Sequence, residues 1–166
     1  MILGVLAVTA STQFINFQRD ARINIIESTR DAFATANDIL HTKAIIGSDV
    51  IEISNDQIVI DMNGDGIATP GDSDGNTIEG KNSPDIRMIA ARNITDTPWT
   101  VDNHQILKIT DISDELVVDL NNNNTQAYIG FDLDGDGLSA DDNCRVYYSQ
   151  DANSWEELWR LKTSGC

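Results

Sequence analysis

The sequence predicts an α+β protein in which a long N-terminal α-helix packs on a small antiparallel β-sheet globular domain. Two observations support this prediction. No proline occurs before Pro70 and no glycine between Gly4 and Gly47, so one uninterrupted helix is possible over that stretch. After Gly47 the pattern changes to short apolar runs separated by turn residues, which is typical of strands. We therefore expect residues 1–46 to form the helix and residues 47–166 a β-rich domain.

An apolar stripe runs along the predicted helix, because apolar residues recur at spacings of three, four or seven. Its members are Phe14, Phe17, Ala21, Ile25, Ala32, Ala36 and Leu40. The stretch from Met1 to Ala10 is apolar on all sides, but it is shorter than the roughly 20 residues that span a bilayer. A helix made of these two parts requires two different burial environments.

Apolar runs after Gly47 predict the strands of the sheet. A hairpin is expected from Val50–Ile53 and Gln57–Ile60, because turn residues separate these two runs. Further strands are predicted at His104–Thr110, Glu115–Leu120, Gln126–Phe131 and Cys144–Tyr148.

Two short helices are predicted within the same domain. Ser83 as N-cap and Pro84 in the first turn are typical of a helix start. That helix is expected to run through Ile86, Ile89 and Ala90. Ser154 and Glu157 have the spacing of a capping box. The last helix is therefore expected to carry Trp155, Leu158 and Trp159.

The charge balance excludes two classes of partner. The chain of 166 residues has 11 Lys and Arg against 27 Asp and Glu, a formal net charge of -16. Binding to nucleic acid or to anionic lipid requires clustered cations, so neither partner is expected. Such an excess of acidic residues keeps a protein soluble, makes its charges repel one another, or allows it to bind cations.

The two cysteines, Cys144 and Cys166, lie near the C-terminus with a short segment between them. In an exported protein such a pair predicts one disulfide, whereas in a cytosolic protein both would be reduced thiols. The disulfide is favoured, because the rest of the sequence indicates a location outside the cell.

A calcium-binding pattern begins at Asp61. Residues 61–72 have the D-x-N-x-D-G spacing of an EF-hand loop, in which alternate residues converge as the chain curls around the ion. The predicted ligands are the side chains of Asp61, Asn63, Asp65 and Asp72 and the carbonyl of Ile67.

The same pattern recurs from Asp132. The corresponding ligands are Asp132, Asp134, Asp136 and the carbonyl of Leu138, and the loop is closed by Asp141, Asp142 or Asn143. Neither loop lies between two good helices, so both are EF-hand-like loops rather than EF-hands. Asp-Gly pairs also form plain turns. However, three acidic residues in one turn repel one another unless a cation neutralises them, so calcium is the predicted cofactor.

No catalytic motif is found, and a non-enzymatic function is expected. His41 and His104 have no Cys or His partner at zinc spacing. A nucleophile motif such as G-x-S-x-G does not occur either.

The N-terminal part of the sequence resembles the helix of type IV pilins, in particular the group of mannose-sensitive haemagglutinin (MSHA) pili. The residues that carry this resemblance are Ile2–Ala10, Phe14–Arg22 and Ala34–Gly47. A C-terminal cysteine pair around a strand also fits that family. The resemblance is specific over about the first quarter of the chain and architectural beyond it.

Some features of the family do not occur in the sequence. The peptidase motif, a Gly before a methylated Phe, is absent, so cleavage and methylation are assigned to no residue. The first half of the apolar helix is also absent, so we expect the sequence to be N-terminally incomplete. Thr12 stands near the position of a helix-kinking proline, which implies a straighter helix.

The resemblance implies a structural subunit that polymerises into an extracellular filament for adhesion, surface attachment or biofilm formation. Before assembly, the helix would lie in the inner membrane of a Gram-negative bacterium. The implied partners are the pilus assembly machinery and further copies of the chain. The residues expected to pack in the filament core are Ile2, Leu3, Val5, Leu6, Phe14, Phe17 and Ala21.

Two other functions fit parts of the sequence. The major pseudopilin of type II secretion shares the helix and often a calcium-bound loop, but the cysteine pair favours a pilin. A calcium-binding protein-interaction module would have a tandem of loop and helix units. That alternative is weakened because Ser73, Asp74 and Gly75 form a poor helix start.

Overall fold

The computed structural model of the chain describes side chains from residue 16 onward, apart from those of residues 52 and 53. Its described residues are 2–47, 49–54, 56–70, 83–90, 99–121, 125–137, 139, 142–150 and 158–166.

The predicted N-terminal helix is confirmed as one α-helix, α1, which spans Ile2–Ile46. Gly47 ends the helix with a φ of 73°, and its amide donates to the carbonyl of Lys43. Among the described side chains of α1, residues 16–21 are all exposed and the first buried one is Ile26. The described burial of the helix is therefore confined to its C-terminal half.

Two four-stranded antiparallel sheets follow the helix, where the sequence analysis predicted one. The first sheet is a meander of β1 (Val50–Ser54), β2 (Gln57–Ile60), β3 (Ile86–Ala90) and β4 (Trp99–Val101). The second sheet is a meander of β5 (Leu116–Leu120), β6 (Gln126–Phe131), β7 (Arg145–Ser149) and β8 (Trp159–Lys162). The α+β class is thereby confirmed.

One face of α1 packs on both sheets. Phe33 stacks on Trp159 of the second sheet with ring centroids 5.5 Å apart, and Ile26 belongs to the same apolar cluster. Leu40 lies in a second cluster with Met88 of the first sheet. Because these three helix residues are seven apart, they lie on one side of α1 and hold the two sheets beneath a single helix.

The buried face of α1 differs from the predicted stripe by about one residue. Ala21 and Ala32 are exposed, whereas Ile26 and Phe33 are fully buried. Leu40 is buried in agreement with the prediction. The larger apolar side chains face the sheets, because burying more apolar area makes the free energy of folding more favourable.

Two predicted elements near the centre of the chain are wrong. The expected helix through Ile86–Ala90 is strand β3, which pairs with β2 on one side and β4 on the other. The expected strand His104–Thr110 is instead occupied by a 3₁₀ helix, Asn103–Lys108. Asp102 caps that helix, since its side chain accepts a hydrogen bond from the amide of His104. In both places tertiary pairing and capping override the local pattern.

The end of the chain also differs from the prediction. Residues 154–157, the expected start of the last helix, lie outside the described residues. Trp159 lies in strand β8 and pairs with Tyr148 of β7, so it is not helical. Along β8 the side chains alternate between the core and solvent, which is the period of a strand.

The predicted disulfide between Cys144 and Cys166 is confirmed. It joins the start of β7 to the C-terminus, with the two Cα atoms 4.7 Å apart. Beside it, the amide of Gly165 donates to the carbonyl of Asn143 at 2.9 Å. A Cβ on Gly165 would lie 2.9 Å from the Cβ of Asn143, so glycine permits this close approach.

Candidate functional sites

The two acidic loops occupy equivalent places in the fold. Acidic loop 1, residues 61–72, follows β2 and precedes β3. Acidic loop 2, residues 132–143, follows β6 and precedes β7. Each loop therefore joins the two central strands of its own four-stranded meander. The repeat of the motif in sequence is accompanied by a repeat of the strands around it.

Acidic loop 1 curls around its first carboxylate. Asp61 Oδ1 accepts a hydrogen bond from the amide of Gly64 at 2.6 Å, and Asp61 Oδ2 accepts one from Gly66 at 2.8 Å. Asn63 Oδ1 accepts from the amide of Asp65 at 3.0 Å. Both glycines have a positive φ, 75° and 74°, which residues with side chains rarely adopt. The curl is thus held by acceptors within the loop.

Acidic loop 2 repeats this arrangement. Asp132 accepts from the amides of Gly135 and Gly137 at 2.7 and 2.9 Å. Asp134 Oδ1 accepts from the amide of Asp136 at 3.2 Å. The two glycines have φ values of 83° and 86°. Because the same bonds recur at the same spacing, residues 61–66 and 132–137 curl in the same way.

In acidic loop 2, three carboxylates lie close enough together to bind one metal ion. Asp132, Asp134 and Asp142 each offer a carboxylate oxygen, and these atoms lie within 4.8 Å of one another. A set of oxygen ligands suits a hard cation such as Ca²⁺. Of the three residues considered for closing this loop, the structure brings Asp142 to the group, while Asp141 lies outside the described residues.

The remaining predicted ligands are placed differently. Asp136 is not a member of the gathered group. The carbonyl of Asn143 accepts a hydrogen bond from Gly165, at the far end of the loop. Ile67 is 61% exposed, and its amide donates to Asp65. Among the described residues of acidic loop 1, no comparable group of three acids forms. The predicted ligands outside the described residues are Asp72 and Leu138.

Two carboxylates outside the predicted ligand sets accept hydrogen bonds from residues of the loops. Asp85 accepts from the amide of Met62 at 3.0 Å, and from the amide and hydroxyl of Thr69 at 2.8 and 2.9 Å. Asp119 of β5 accepts from the amide of Ser139 and from its hydroxyl at 2.9 Å. Neither carboxylate belongs to a local motif, so only the fold identifies them.

Asp85 is fully buried, and its surroundings favour the charged form. Burial alone would raise the pKa of Asp85, but hydrogen bonds from Thr69 and Met62 and the nearby charge of Lys108 outweigh it. The pKa of this carboxyl therefore lies below its usual value. Lys108 also donates to the carbonyls of Pro70 and Asp85, so the 3₁₀ helix fastens acidic loop 1 to the first sheet.

Arg145 fastens acidic loop 2 in a comparable way. Its guanidinium donates to the carbonyls of Ser139 and Asp142, and lies over the ring of Tyr128, 5.1 Å from the centroid. Gly130 lies opposite Arg145 in the paired strands. A Cβ at Gly130 would lie only 2.6 Å from the Cβ of Arg145, so this glycine makes room for the arginine.

The residues expected to pack in a filament core belong to α1. Phe17 is 69% exposed, and Ala21 is exposed as well. Within the described part of the chain, no helix is both long enough and apolar enough to cross a membrane. The expected core residues whose side chains lie outside the described part are Ile2, Leu3, Val5, Leu6 and Phe14.

Neither a family model, nor a curated protein, nor a solved structure matches this chain. Its function therefore has to be inferred from its residues and its fold.

Proposed function

We propose that this chain is a structural subunit that polymerises, through its N-terminal helix, into an extracellular filament of the type IV pilus kind. The observation that carries the proposal is the division of α1 into two parts. The C-terminal half packs on the sheets through Ile26, Phe33 and Leu40, whereas residues 16–21 are exposed. With 45 residues, the helix is about 70 Å long.

The exposed part of α1 is suited to burial against other copies. Phe17 is 69% exposed, and it follows an apolar stretch from Met1 to Ala10. An exposed phenyl ring that follows an apolar stretch in the sequence supports an interaction site here, because burial of apolar surface is favourable. If helices of successive copies cover one another in a head-to-tail manner, and the rotation between copies does not close into a ring, a filament grows. The acidic sheet domain would then coat the outside.

The resemblance to type IV pilins supports the cellular setting of this proposal. It implies that the helix lies in the inner membrane of a Gram-negative bacterium before the pilus assembly machinery extracts it. It also implies that the filament serves adhesion, surface attachment or biofilm formation. A structural role of this kind requires no enzymatic activity.

Substitution of Phe17 by alanine tests the role of the helix. We expect Phe17→Ala to weaken filament formation strongly and to leave the unfolding temperature unchanged, because the ring is exposed in the single chain. Removal of the residues before Gln18 should give a soluble monomer. Electron microscopy and sedimentation of the full chain measure assembly, and circular dichroism measures the unfolding temperature.

The matched control is Ile46→Ala. Ile46 is 70% exposed on the same helix, but it lies at the opposite end from the proposed core. Filaments formed by the shortened chain would contradict the proposal, and so would equal assembly defects in the two alanine variants.

We also infer that acidic loop 2 binds Ca²⁺. The inference rests on the three carboxylate oxygens of Asp132, Asp134 and Asp142 that lie within 4.8 Å of one another. Carboxylates at such distances repel one another, and a divalent cation removes this repulsion. The formal net charge of -16 further favours cation binding.

Substitution of Asp134 by asparagine tests this site. The amide oxygen can keep the hydrogen bond from Asp136 while one ligand charge is lost, and acidic loop 1 already has Asn63 at the equivalent position. At ten times its dissociation constant, Ca²⁺ should stabilise the unaltered chain by about 1.4 kcal/mol, or about 3–5 °C. Asp134→Asn should lose most of this shift, as differential scanning calorimetry would measure.

The control is Asp114→Asn, which makes the same charge change at an exposed position outside both loops. It should keep the full calcium response. Without calcium, Asp134→Asn should be at least as stable as the unaltered chain, because it removes repulsion. Equal calcium shifts in all three proteins would rule out acidic loop 2 as their source.

A further inference from the structure

The fold gathers cations that are scattered in the sequence. Arg145 of β7 and Arg160 and Lys162 of β8 line one cleft of ≈ 240 Å³, together with Tyr147 and Leu161. Three of the 11 Lys and Arg residues of this acidic chain therefore meet in one place. In the strand register, Arg145 lies opposite Lys162 and Tyr147 lies opposite Arg160, so these four side chains share one face of the second sheet.

This face points away from the helix. Val146, Tyr148 and Trp159 alternate with the cleft residues along β7 and β8, and they lie in the core beneath α1. Because side chains alternate between the two faces of a strand, the cleft lies on the outer face of the second sheet. Arg160 and Lys162 are exposed there.

The cleft combines positive charge with an aromatic ring. The guanidinium of Arg160 lies 5.7 Å from the ring centroid of Tyr147. Arg145 is held in place by the carbonyls of acidic loop 2 and by the ring of Tyr128. Among the described residues, neither a hydrogen bond nor an ion pair engages the ammonium of Lys162. Within the part of the chain that the structure describes, this ammonium is available to an anion that enters the cleft.

We propose that the cleft binds a sugar unit that carries a carboxylate, such as a uronic acid. Arg and Lys side chains recognise carboxylates through charge-assisted hydrogen bonds. The ring of Tyr147 contacts the ring of Tyr128, with centroids 5.4 Å apart, and the guanidinium of Arg160. The remaining surface of Tyr147 lines the cleft and can contact the apolar face of a sugar. The volume is slightly below the range of about 300–1,000 Å³ for drug-sized ligands, so it suits a single ring.

The charge of the rest of the chain favours a small ligand over a polyanion. A nucleic acid or another strongly acidic chain would extend beyond the cleft and meet a surface with a formal net charge of -16. A single carboxylate inside the cleft contacts the cations directly, while more distant charges are screened by salt. The proposal goes beyond polymerisation and does not depend on it.

The test is an NMR titration of the full chain, kept monomeric by a detergent, with sodium D-glucuronate. The buffer is free of calcium because this ligand itself binds Ca²⁺. We expect saturable shifts of backbone amides confined to β7 and β8. D-glucose lacks the carboxylate, and sodium acetate lacks the sugar ring. Each should therefore bind at least about tenfold more weakly than glucuronate. The double substitution Arg160→Gln with Lys162→Gln should reduce the affinity for glucuronate about tenfold.

Arg19→Gln, an exposed change on α1, is the control that lowers the positive charge outside the cleft and should leave the affinity unchanged. Arg145 is left intact because it also fastens acidic loop 2. The unfolding temperature of each variant verifies its folding. Three results would overturn the proposal: equal binding of acetate, unchanged affinity in the double variant, or tighter binding of a hexaglutamate peptide at the same residues. The last result would assign the cleft to an acidic protein.

Discussion

Replacing Phe33 by alanine is expected to lower the free energy of unfolding by about 3–5 kcal/mol. The ring is fully buried and stacks on Trp159 with an angle of 19° between the ring planes. Its removal would leave a cavity between α1 and the second sheet, which neighbouring side chains fill only in part. The free energy of unfolding of a whole domain is only about 5–15 kcal/mol, so this single change would remove a large share of it.

Denaturant unfolding measured by circular dichroism would give the size of this loss. The matched control is Phe17→Ala, which makes the same chemical change at a side chain that is 69% exposed. The control should stay within about 0.5 kcal/mol of the unaltered chain. If Phe33→Ala does not fold, Phe33→Leu should still show a smaller loss of the same sign. Equal stability of the two alanine variants would contradict the packing of α1 on the second sheet.

The helix could be predicted from the sequence, but the direction of its buried face could not. A stretch without proline and with glycine only near its start is a local property, so the bounds of α1 follow from it. Apolar residues, however, occupy adjacent faces of this helix, as the neighbours Ile25 and Ile26 illustrate. The spacing of the predicted stripe and that of the buried residues are both helical. Ile26 and Phe33 are buried because the sheet domain packs on their side of the helix, which the local sequence does not show.

The short elements were harder to predict because their local patterns are ambiguous. Ser83 and Pro84 are typical of a helix start, yet the neighbouring Asp85 accepts hydrogen bonds from the amides of Met62 and Thr69. The strand that follows is held by pairing on both edges, which no local pattern reveals. The capping-box spacing before Trp159 predicts a helix, although the alternation along β8 is that of a strand.

The acidic loops could be predicted because their ligand spacing is local, whereas the residues around them could not. Three residues were possible for closing acidic loop 2, and the fold brings Asp142 to Asp132 and Asp134. Asp119 reaches the same loop from a strand that lies before it in the sequence. The cationic cleft was also missed. Its cations lie on the consecutive strands β7 and β8, and only the register of these strands brings them together on one face.

Removing the disulfide by the double substitution Cys144→Ala with Cys166→Ala is expected to destabilise the chain by about 3 kcal/mol. The two cysteines are 22 residues apart, and the bridge restricts the unfolded chain by closing the segment between them. That segment contains β7 and β8, so both strands lose a constraint when it opens. The loss should appear as a lower midpoint of denaturant unfolding.

The same substitution should also weaken the calcium response of acidic loop 2. The bridge begins directly after Asp142 and Asn143, and Gly165 beside the second cysteine holds the carbonyl of Asn143. Without the bridge, that end of the loop is less restrained, so ordering it around a cation costs more entropy. A reducing agent should destabilise the unaltered chain to a similar extent and leave the double variant unchanged. A double variant with full stability and an unreduced calcium shift would show that the bridge supports neither the strands nor the loop.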